Sequence, residues 1–162
     1  MNGERKSESS RRKNMPMVMA VIVIIILALV LVALNQIDST DGRCEGLARC
    51  FTGTVTEIID GDTIEVDDQK IRLALVNTPE RNQAGYEEAK QFTATLCPVG
   101  SQALVDEDDG QTGGSYGRIV AVVYCGDKNL NAELVSAGHA EILQEFCDIS
   151  EFAIEDWAAD CR

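Results

Sequence analysis

The stretch IRLALVNTPER, residues 71–81, decides the fold and raises the question of function. Its apolar side chains alternate, as they do on the core face of a β-strand, at Ile71, Leu73 and Leu75. Arg72 stands inside this pattern, where a Val or Thr would favour a strand more strongly. An amide and a carboxylate, Asn77 and Glu80, follow at the strand end. Polar groups at these positions indicate a site at the end of the strand.

The flanking sequence predicts four further strands and three helices. Strand patterns cover residues 51–60, 62–66, 70–76, 101–108 and 118–125. Helical patterns cover residues 84–96, 129–138 and 150–161, the last with Ser150 as its N-cap. Three strands, a helix, two strands and then helices fit an α+β fold in which helices pack against a small antiparallel β-barrel.

The net charge limits the ligands that the protein can bind. The chain of 162 residues is long enough for one domain of ordinary size and carries a formal net charge of −13. The first fourteen residues hold five basic and two acidic side chains, which leaves nine basic and 25 acidic residues for the rest. This acidic body should repel nucleic acid over most of its surface, so an anionic ligand needs a local basic site.

Residues 15–34 contain no charged side chain and are apolar on every face of a helix. A helix of this length spans about 30 Å, the thickness of a bilayer core. The basic tail, residues 1–14, should stay in the cytoplasm and place the rest of the chain outside the cell membrane. A cleaved signal peptide is the alternative, but its apolar core is normally about 7–15 residues long. The prediction is a single-pass signal anchor at residues 15–34, a stalk at 35–50 and an exported domain at 51–162.

All six cysteines follow the apolar segment, at Cys44, Cys50, Cys97, Cys125, Cys147 and Cys161. An even number of cysteines in an exported domain indicates disulfide bonds. Spacing alone does not choose among the possible pairings. A zinc site is disfavoured because the sequence has no Cys-x-x-Cys pair and a single histidine.

Carboxylates and arginines are the candidate catalytic groups. The single histidine excludes mechanisms that need two, no Gly-x-Ser-x-Gly motif is present, and exported thiols are expected to be oxidised. Asp62 and Asn77 offer hard oxygen ligands for a cation such as calcium. Arg72 and Arg118 can clamp a phosphate, and a carboxylate not bound to the cation can activate water. Each residue alone has an ordinary structural interpretation, and only their occurrence together favours a site.

The order of these motifs resembles the staphylococcal nuclease (thermonuclease) family over roughly residues 51–157. The matching segments are Asp60-Gly61-Asp62-Thr63, the run from Arg72 to Glu80, Tyr116-Gly117-Arg118, and Asn131-Ala132-Glu133-Leu134-Val135 with Gly138. The resemblance implies an OB-fold, a five-stranded β-barrel with three packed helices. It also implies a calcium-dependent phosphodiesterase, an endonuclease that acts on DNA and RNA and leaves 3′-phosphate ends.

Carried over by position, the resemblance assigns a role to each site residue. The residues that would bind one calcium ion are Asp62, Asn77 and, through its backbone carbonyl, Thr78. Glu80 would act as the general base on the attacking water. Arg72 and Arg118 would hold the scissile phosphate, and Tyr116 would contact a neighbouring phosphate. No protein partner is implied, and a monomer is expected.

Three departures from the family pattern should weaken activity. Asn77 replaces an aspartate that is common in the family, which removes one negative charge from the cation site. The segment after Glu80 is short and lacks the family's basic loop. Gln144 stands where a stacking tyrosine is expected, and base stacking contributes about 1–3 kcal/mol. The alternatives are a weak or inactive nucleic-acid-binding module and a disulfide-linked surface interaction domain.

The inferred barrel predicts the disulfide pairs. Cys97 precedes a strand whose antiparallel neighbour ends at Cys125, so these two cysteines should bridge. Cys147 and Cys161 flank a predicted helix roughly 17 Å long and should be too far apart to pair. The remaining predicted pairs are Cys50–Cys147 and Cys44–Cys161, with a local Cys44–Cys50 bridge as the competitor.

Overall fold

The computed structural model describes residues 19–27 and 42–162, and the chain divides into two units, Met1–Ser39 and Thr40–Arg162. In the first unit, residues 19–27 are helical with exposed side chains. Among the described residues, no helix combines the length and the apolar character that a bilayer crossing requires. The rest of the predicted membrane segment and the predicted cytoplasmic tail lie outside the described residues.

Five strands of the second unit form a closed β-barrel. They are β1 (Cys50–Ile58), β2 (Thr63–Val66), β3 (Gln69–Leu73), β5 (Gln102–Glu107) and β6 (Ile119–Cys125). Neighbouring strands pair antiparallel in the order β3-β2-β1-β5-β6, and β3 and β6 then close the barrel as a parallel pair. The predicted five-stranded barrel is confirmed, although its closing pair is parallel rather than antiparallel.

The barrel interior is filled by aliphatic side chains from every strand. They include Val55, Ile64, Val66, Ile71, Leu73, Val105, Ala121 and Val123, each at most 1 % exposed. Burying a Val, Leu or Ile side chain stabilises a fold by about 1.5–3 kcal/mol. Because successive strand residues point to opposite faces, Arg72 lies on the outer face between two of these core residues. The alternation that builds the core therefore directs Arg72 away from it.

The predicted strand at residues 70–76 is too long, because β3 ends at Leu73. Leu75 has a left-handed backbone, with φ of 59°, which breaks the strand. The chain then forms β4 (Val76–Asn77), which pairs with β8 (Glu141–Ile142) outside the barrel. Leu75 packs in a second apolar cluster with Ala74, Val120, Val122 and Phe152.

Two α-helices pack against the barrel. α1 (Tyr86–Leu96) buries Tyr86, Ala89 and Thr93. A two-residue strand, β7 (Lys128–Asn129), leads into α2 (Leu130–Ser136). The helical pattern at residues 129–138 correctly ends at Gly138, whose φ of 74° stops the helix.

The prediction of a third α-helix at residues 150–161 is wrong. Two 3-10 helices, Glu151–Ile154 and Asp156–Cys161, occupy this segment. Glu155 between them is extended, with φ of −64° and ψ of 150°, and these angles interrupt any helix. Within the described part of the chain, the side chain of Ser150, predicted as an N-cap, makes no capping hydrogen bond.

A buried amide fixes the turn after β3. Asn131 on α2 is fully buried. Its Nδ2 donates to the carbonyl of Ala74 at 2.9 Å, and its Oδ1 accepts from the N–H of Val123 at 3.2 Å. The side chain therefore joins the end of β3 to β6, and it holds the segment that leads to the charged residues beyond Asn77.

Three disulfide bonds connect the six cysteines: Cys44–Cys50, Cys97–Cys125 and Cys147–Cys161. The Cys97–Cys125 pair is the one that the barrel register predicted. The predicted pairs Cys50–Cys147 and Cys44–Cys161 are wrong. The bend at Glu155 brings the Cα atoms of Cys147 and Cys161 to 5.4 Å, whereas a straight helix would separate them by roughly 17 Å.

Candidate active site

Three strand ends bring the charged residues together. Thr63 at the start of β2 pairs with Arg72 of β3, and Arg72 pairs with Val120 of β6. Asp62 immediately precedes β2, and Arg118 immediately precedes β6. Barrel closure therefore places Asp62 and Arg118 on the two strands that flank Arg72.

The guanidinium of Arg72 is pinned in a largely buried position. Its Nη1 donates to the carbonyl of Val76 at 2.5 Å and to that of Leu73 at 3.1 Å, and it lies 3.2 Å from Oδ1 of Asp62. The side chain is only 14 % exposed. A charged group held this way has little conformational freedom left to lose when a ligand binds.

Four charged side chains lie close enough to Arg72 to affect its pKa. Burial lowers the pKa of Arg72, the negative charge of Asp62 opposes this effect, and the positive charge of Arg118 reinforces it. The carboxylates of Asp60 and Glu80 also act to raise that pKa. An arginine stays protonated at any physiological pH, so this residue remains a fixed positive charge within electrostatic reach of all four side chains.

Both oxygens of the Asp62 carboxylate are oriented by hydrogen bonds. Oδ2 accepts from the backbone N–H of Thr78 at 2.7 Å and from its hydroxyl at 2.9 Å. Oδ1 accepts from the hydroxyl of Thr63 at 3.2 Å. Asp62 is 6 % exposed and Thr78 is 3 % exposed. These contacts fix Asp62 relative to Thr78, the two residues predicted to share a cation.

Asp60 is a second carboxylate that the sequence reasoning left without a role. Its Oδ1 accepts from the backbone N–H of Asp62 at 3.2 Å. Burial raises the pKa of Asp60, and the negative charge of Asp62 raises it further. Two such carboxylates favour binding of a cation that neutralises them. The sequence signal that could have identified Asp60 is the pair of aspartates on either side of Gly61.

Helix α1 holds the loop that carries both aspartates. Thr93 is fully buried, and its hydroxyl donates to the carbonyl of Gly61 at 2.6 Å. The Nζ of Lys90 donates to the backbone carbonyl of the residue two positions before Gly61, at 2.9 Å. A Cβ on Gly61 would lie 2.7 Å from the hydroxyl of Thr78 and 2.9 Å from the Cβ of Ala89. The only sequence signal for these supports is the position of Thr93 on the buried side of the helical pattern.

The remaining predicted residues are less constrained. Asn77 is half-buried and pairs with Glu141, and Glu80 is exposed with its N–H donating to Oε1 of Gln83 at 2.7 Å. Within residues 42–162, neither the amide of Asn77 nor the carboxylate of Glu80 makes a side-chain hydrogen bond. An adjoining cleft of about 220 Å³ is lined by Asn77, Thr78, Pro79, Gln83, Gly138, His139, Ala140 and Glu141. Both side chains are therefore available to a ligand.

The second arginine lies on a tight turn. The N–H of Arg118 donates to the carbonyl of Ser115 at 3.0 Å, and the intervening Tyr116 and Gly117 have φ of 53° and 76°. The Nε of Arg118 donates to the same carbonyl at 3.0 Å, and its Nη2 donates to the serine hydroxyl at 3.2 Å. Tyr116 is 99 % exposed. The turn thus presents an oriented guanidinium and an exposed aromatic ring.

A profile of the staphylococcal nuclease homologue family matches residues 70–155. The match covers more than half of the 162 residues and includes Arg72, Glu80 and Arg118. The chain belongs to this family. Asp62 precedes the matched segment and joins the same site through the pairing of Thr63 with Arg72.

Curated relatives agree with this assignment. Protein ParB of Escherichia coli is 38 % identical over 101 residues, which cover 54 % of this chain and 55 % of the relative. An uncharacterized endonuclease of Haemophilus influenzae is 30 % identical over 100 residues, covering 59 % and 54 %. The thermonuclease of Staphylococcus intermedius is 33 % identical over 96 residues, covering 53 % and 56 %. The chain spans about half the length of these relatives.

Proposed function

We propose that the protein is a divalent-cation-dependent phosphodiesterase, an endonuclease that hydrolyses DNA or RNA with calcium as its cation. The observation that carries the proposal is the buried guanidinium of Arg72, paired with Asp62 and surrounded by the charges of Arg118, Asp60 and Glu80. Membership of the staphylococcal nuclease homologue family supports a nuclease in general. Two of the relatives are named as an endonuclease and a thermonuclease.

The two arginines supply the positive charge that the acidic surface lacks. Guanidinium groups bind phosphate oxygens through paired N–H donors, and fixed donors stabilise charge that develops in a transition state without reorganisation. Among the described residues, Nε and Nη2 of Arg72 and Nη1 of Arg118 make no hydrogen bond. These donors are the ones assigned to the scissile phosphate.

The residues present at the site fit a calcium ion. The candidate ligands are all oxygen atoms, as calcium prefers: the Asp62 carboxylate, the side-chain oxygen of Asn77 and the carbonyl of Thr78. The raised pKa of Asp60, caused by burial and then by the charge of Asp62, indicates a position where a cation relieves repulsion. Bound there, the ion would supply positive charge next to the reacting phosphate.

Glu80 is the proposed general base. Its carboxylate is exposed and makes no hydrogen bond within the described part of the chain, so it can accept a proton from water. Gln83 fixes its backbone through the hydrogen bond to the Glu80 N–H. Water deprotonated there attacks phosphorus and the 5′ P–O bond breaks. The leaving 5′-oxygen takes a proton from solvent water, and the other product carries a 3′-phosphate. Tyr116, exposed beside Arg118, would contact the neighbouring phosphate.

We place this activity outside the cell membrane, with residues 15–34 as a single-pass anchor and the N-terminus in the cytoplasm. The three disulfides support an oxidising compartment, because reducing conditions in the cytoplasm disfavour them. Intact cells that express the full chain should lose surface nuclease activity on treatment with external protease. Activity recovered in the medium would instead indicate a cleaved signal peptide.

Digestion of supercoiled plasmid by the purified full-length chain tests the enzymatic proposal. Calcium should support cleavage and excess chelator should abolish it. Arg72→Ala and Arg118→Ala should each lower turnover by about a hundredfold or more. Arg49→Ala is the matched control, since Arg49 is 60 % exposed and pairs with Glu107 away from the site. End-labelled oligonucleotides should show 3′-phosphate termini.

The other outcomes favour different functions. Plasmid binding without cleavage would favour a nucleic-acid-binding module of the same fold. Neither binding nor cleavage would favour a surface interaction domain. Cleavage that persists in excess chelator would reject the cation, and equal activity of the Arg72 and Arg49 variants would reject the site.

A further inference from the structure

The Cys44–Cys50 disulfide lies beside a buried carboxyl group that the proposed nuclease does not use. Asp106 of β5 pairs across the sheet with Cys50, the first residue of β1. A carboxyl oxygen of Asp106 and the two sulfur atoms all lie within 4.8 Å of one another. Asp106 is fully buried, and its Oδ2 accepts from the N–H of Glu45 at 2.8 Å. Its Oδ1 has no hydrogen-bond partner among residues 19–27 and 42–162. Leaving such an atom unpaired is costly, which points to a role for it.

The three disulfides differ in access and in surroundings. The core disulfide Cys97–Cys125 is enclosed in the barrel, with its residues 0 % and 6 % exposed. Cys44–Cys50 and Cys147–Cys161 are both half-buried. Within the described residues, only Cys44–Cys50 has a carboxyl group next to both sulfurs. It is therefore the disulfide that combines access for a thiol with an adjacent proton donor, and Cys147–Cys161 is its natural comparison.

The loop between Cys44 and Cys50 is held by polar contacts rather than by a packed core. The N–H groups of Leu47 and Ala48 donate to the carboxylate of Asp109 at 2.8 and 2.6 Å. The Leu47 side chain is 97 % exposed. Residues 42–49, predicted as part of a stalk, thus lie against the barrel through hydrogen bonds to carboxylates. Cys44 and Cys50 are not among the buried residues that form the barrel core.

Acidic groups surround Asp106. Burial raises the pKa of Asp106 to about 6, and neighbouring negative charges raise it as well. The titratable and charged groups around it are Glu45, Asp108, Asp109, Glu151 and Tyr124, with Arg43 over the Tyr124 ring. In weakly acidic solution this carboxyl group therefore carries a proton close to the two sulfurs.

We propose that Cys44–Cys50 is a redox centre that exchanges with low-molecular-weight thiols of the glutathione class, and that Asp106 is its proton donor and acceptor. A thiolate attacks one sulfur, a mixed disulfide forms, and the Cys44–Cys50 bond breaks. The cysteine that leaves as a thiolate takes the proton of the Asp106 carboxyl group, directly or through one water. A second thiolate attacks the sulfur of the low-molecular-weight thiol in the mixed disulfide, and the bond between that sulfur and the cysteine breaks. The oxidised low-molecular-weight disulfide is released, and the second cysteine leaves as a thiolate that takes a proton from water. The protein disulfide has gained two electrons, and two thiols have been oxidised to one disulfide.

Timed reduction of the full-length chain by glutathione tests the proposal. Free thiols are alkylated at intervals, and peptide mass spectrometry follows Cys44–Cys50 and Cys147–Cys161 in the same sample across pH 4.5–8. Rates are divided by the thiolate fraction of glutathione, so that the remaining pH dependence belongs to the protein. Near pH 5, Cys44–Cys50 should react about tenfold or more faster than Cys147–Cys161, and its corrected rate should fall as pH rises through about 6.

Asp106→Asn provides the decisive comparison. Asparagine keeps an acceptor for the Glu45 N–H but has no acidic proton, so the inflection near pH 6 should vanish while Cys147–Cys161 is unchanged. Glu45→Gln removes a charge that raises the pKa of Asp106 and should move the inflection to lower pH. A flat corrected profile in the wild type, the same profile in Asp106→Asn, or equal rates at the two half-buried disulfides would overturn the proposal.

Discussion

Substitution of Thr93 by valine isolates the support that helix α1 gives to the aspartate loop. Valine has the shape of threonine, so the substitution leaves no cavity and removes one buried hydrogen bond, from Thr93 Oγ1 to the carbonyl of Gly61 at 2.6 Å. A buried polar group that loses its partner costs about 1–3 kcal/mol. For a domain of this size, that corresponds to roughly 3–6 °C in Tm for each kcal/mol.

The change in calcium affinity of Thr93→Val should be more informative about the site than the change in its stability. Gly61 connects Asp60 to Asp62, so a loosened carbonyl misplaces both carboxylates while Lys90 still holds the other end of the loop. Loss of a group that orients a cation ligand typically costs about 10–100-fold in affinity. Titration of plasmid cleavage with calcium should therefore show a higher half-saturating concentration, and calorimetry should show the same shift without substrate.

Thr95→Val is the matched control, because it makes the same chemical change on the same helix. Thr95 is exposed, and its hydroxyl donates to the carbonyl of Gln91 at 2.8 Å within the helix. Its effect on stability should stay within about 0.5 kcal/mol. If Thr93→Val and Thr95→Val bind calcium equally, α1 does not hold the loop. If only the stability of Thr93→Val falls, the hydrogen bond is structural.

Three further substitutions have defined outcomes. Asn77→Asp should tighten calcium binding by restoring a charged ligand, and unchanged or weaker affinity in calorimetry would remove Asn77 from the ligand set. Gly61→Ala should destabilise by about 1–3 kcal/mol in urea unfolding, because its Cβ would lie within 2.9 Å of Ala89, whereas Gly113→Ala meets nothing within 4 Å. Asp106→Asn should change the pH dependence of stability. Because the pKa of Asp106 is raised to about 6 in the folded state, the stability it contributes is fully present below about pH 4 and is lost as pH rises through 6, about 3 kcal/mol in all. Between pH 4 and 7, the wild type should lose about this much unfolding free energy, and the Asp106→Asn variant should not. A difference between the two proteins that does not depend on pH would contradict the raised pKa of Asp106.

The strands were predictable from the sequence because their signals are local. Alternation with a period of two identifies β1 and β3 from short windows, and it also assigns Arg72 to the face opposite Ile71 and Leu73. The continuous apolar run of β6 is instead typical of a strand that is buried on both faces. The sequence puts Asp62 and Arg118 at the starts of two strands, but only the pairing of those strands with β3 brings both beside Arg72. The supports on α1 were missed because a buried threonine in a helix has no distinctive pattern of its own.

The errors arose where the backbone leaves regular geometry. Leu75 continues the alternation in sequence, but its left-handed conformation turns the chain out of the barrel and buries the side chain in the second apolar cluster. The helical pattern at residues 150–161 predicts one continuous helix, but the extended Glu155 divides the segment. That single bend also accounts for the wrong disulfides, since the distance between Cys147 and Cys161 was taken from an unbroken helix.

The parallel pairing of β3 and β6 is the step that no local pattern contains. It sets Arg72 opposite Val120, so that Arg118, two residues before Val120, lies next to the same point of the barrel. Sliding β3 by one residue would exchange its two faces, moving the guanidinium into the barrel and two core side chains out of it. The burial of Ile71 and Leu73, at 0 % and 1 % exposure, therefore fixes the register that brings the two arginines together. The same alternation directs Arg72 out of the barrel, so this arginine stands in a core strand without interrupting the packing of Ile71 and Leu73.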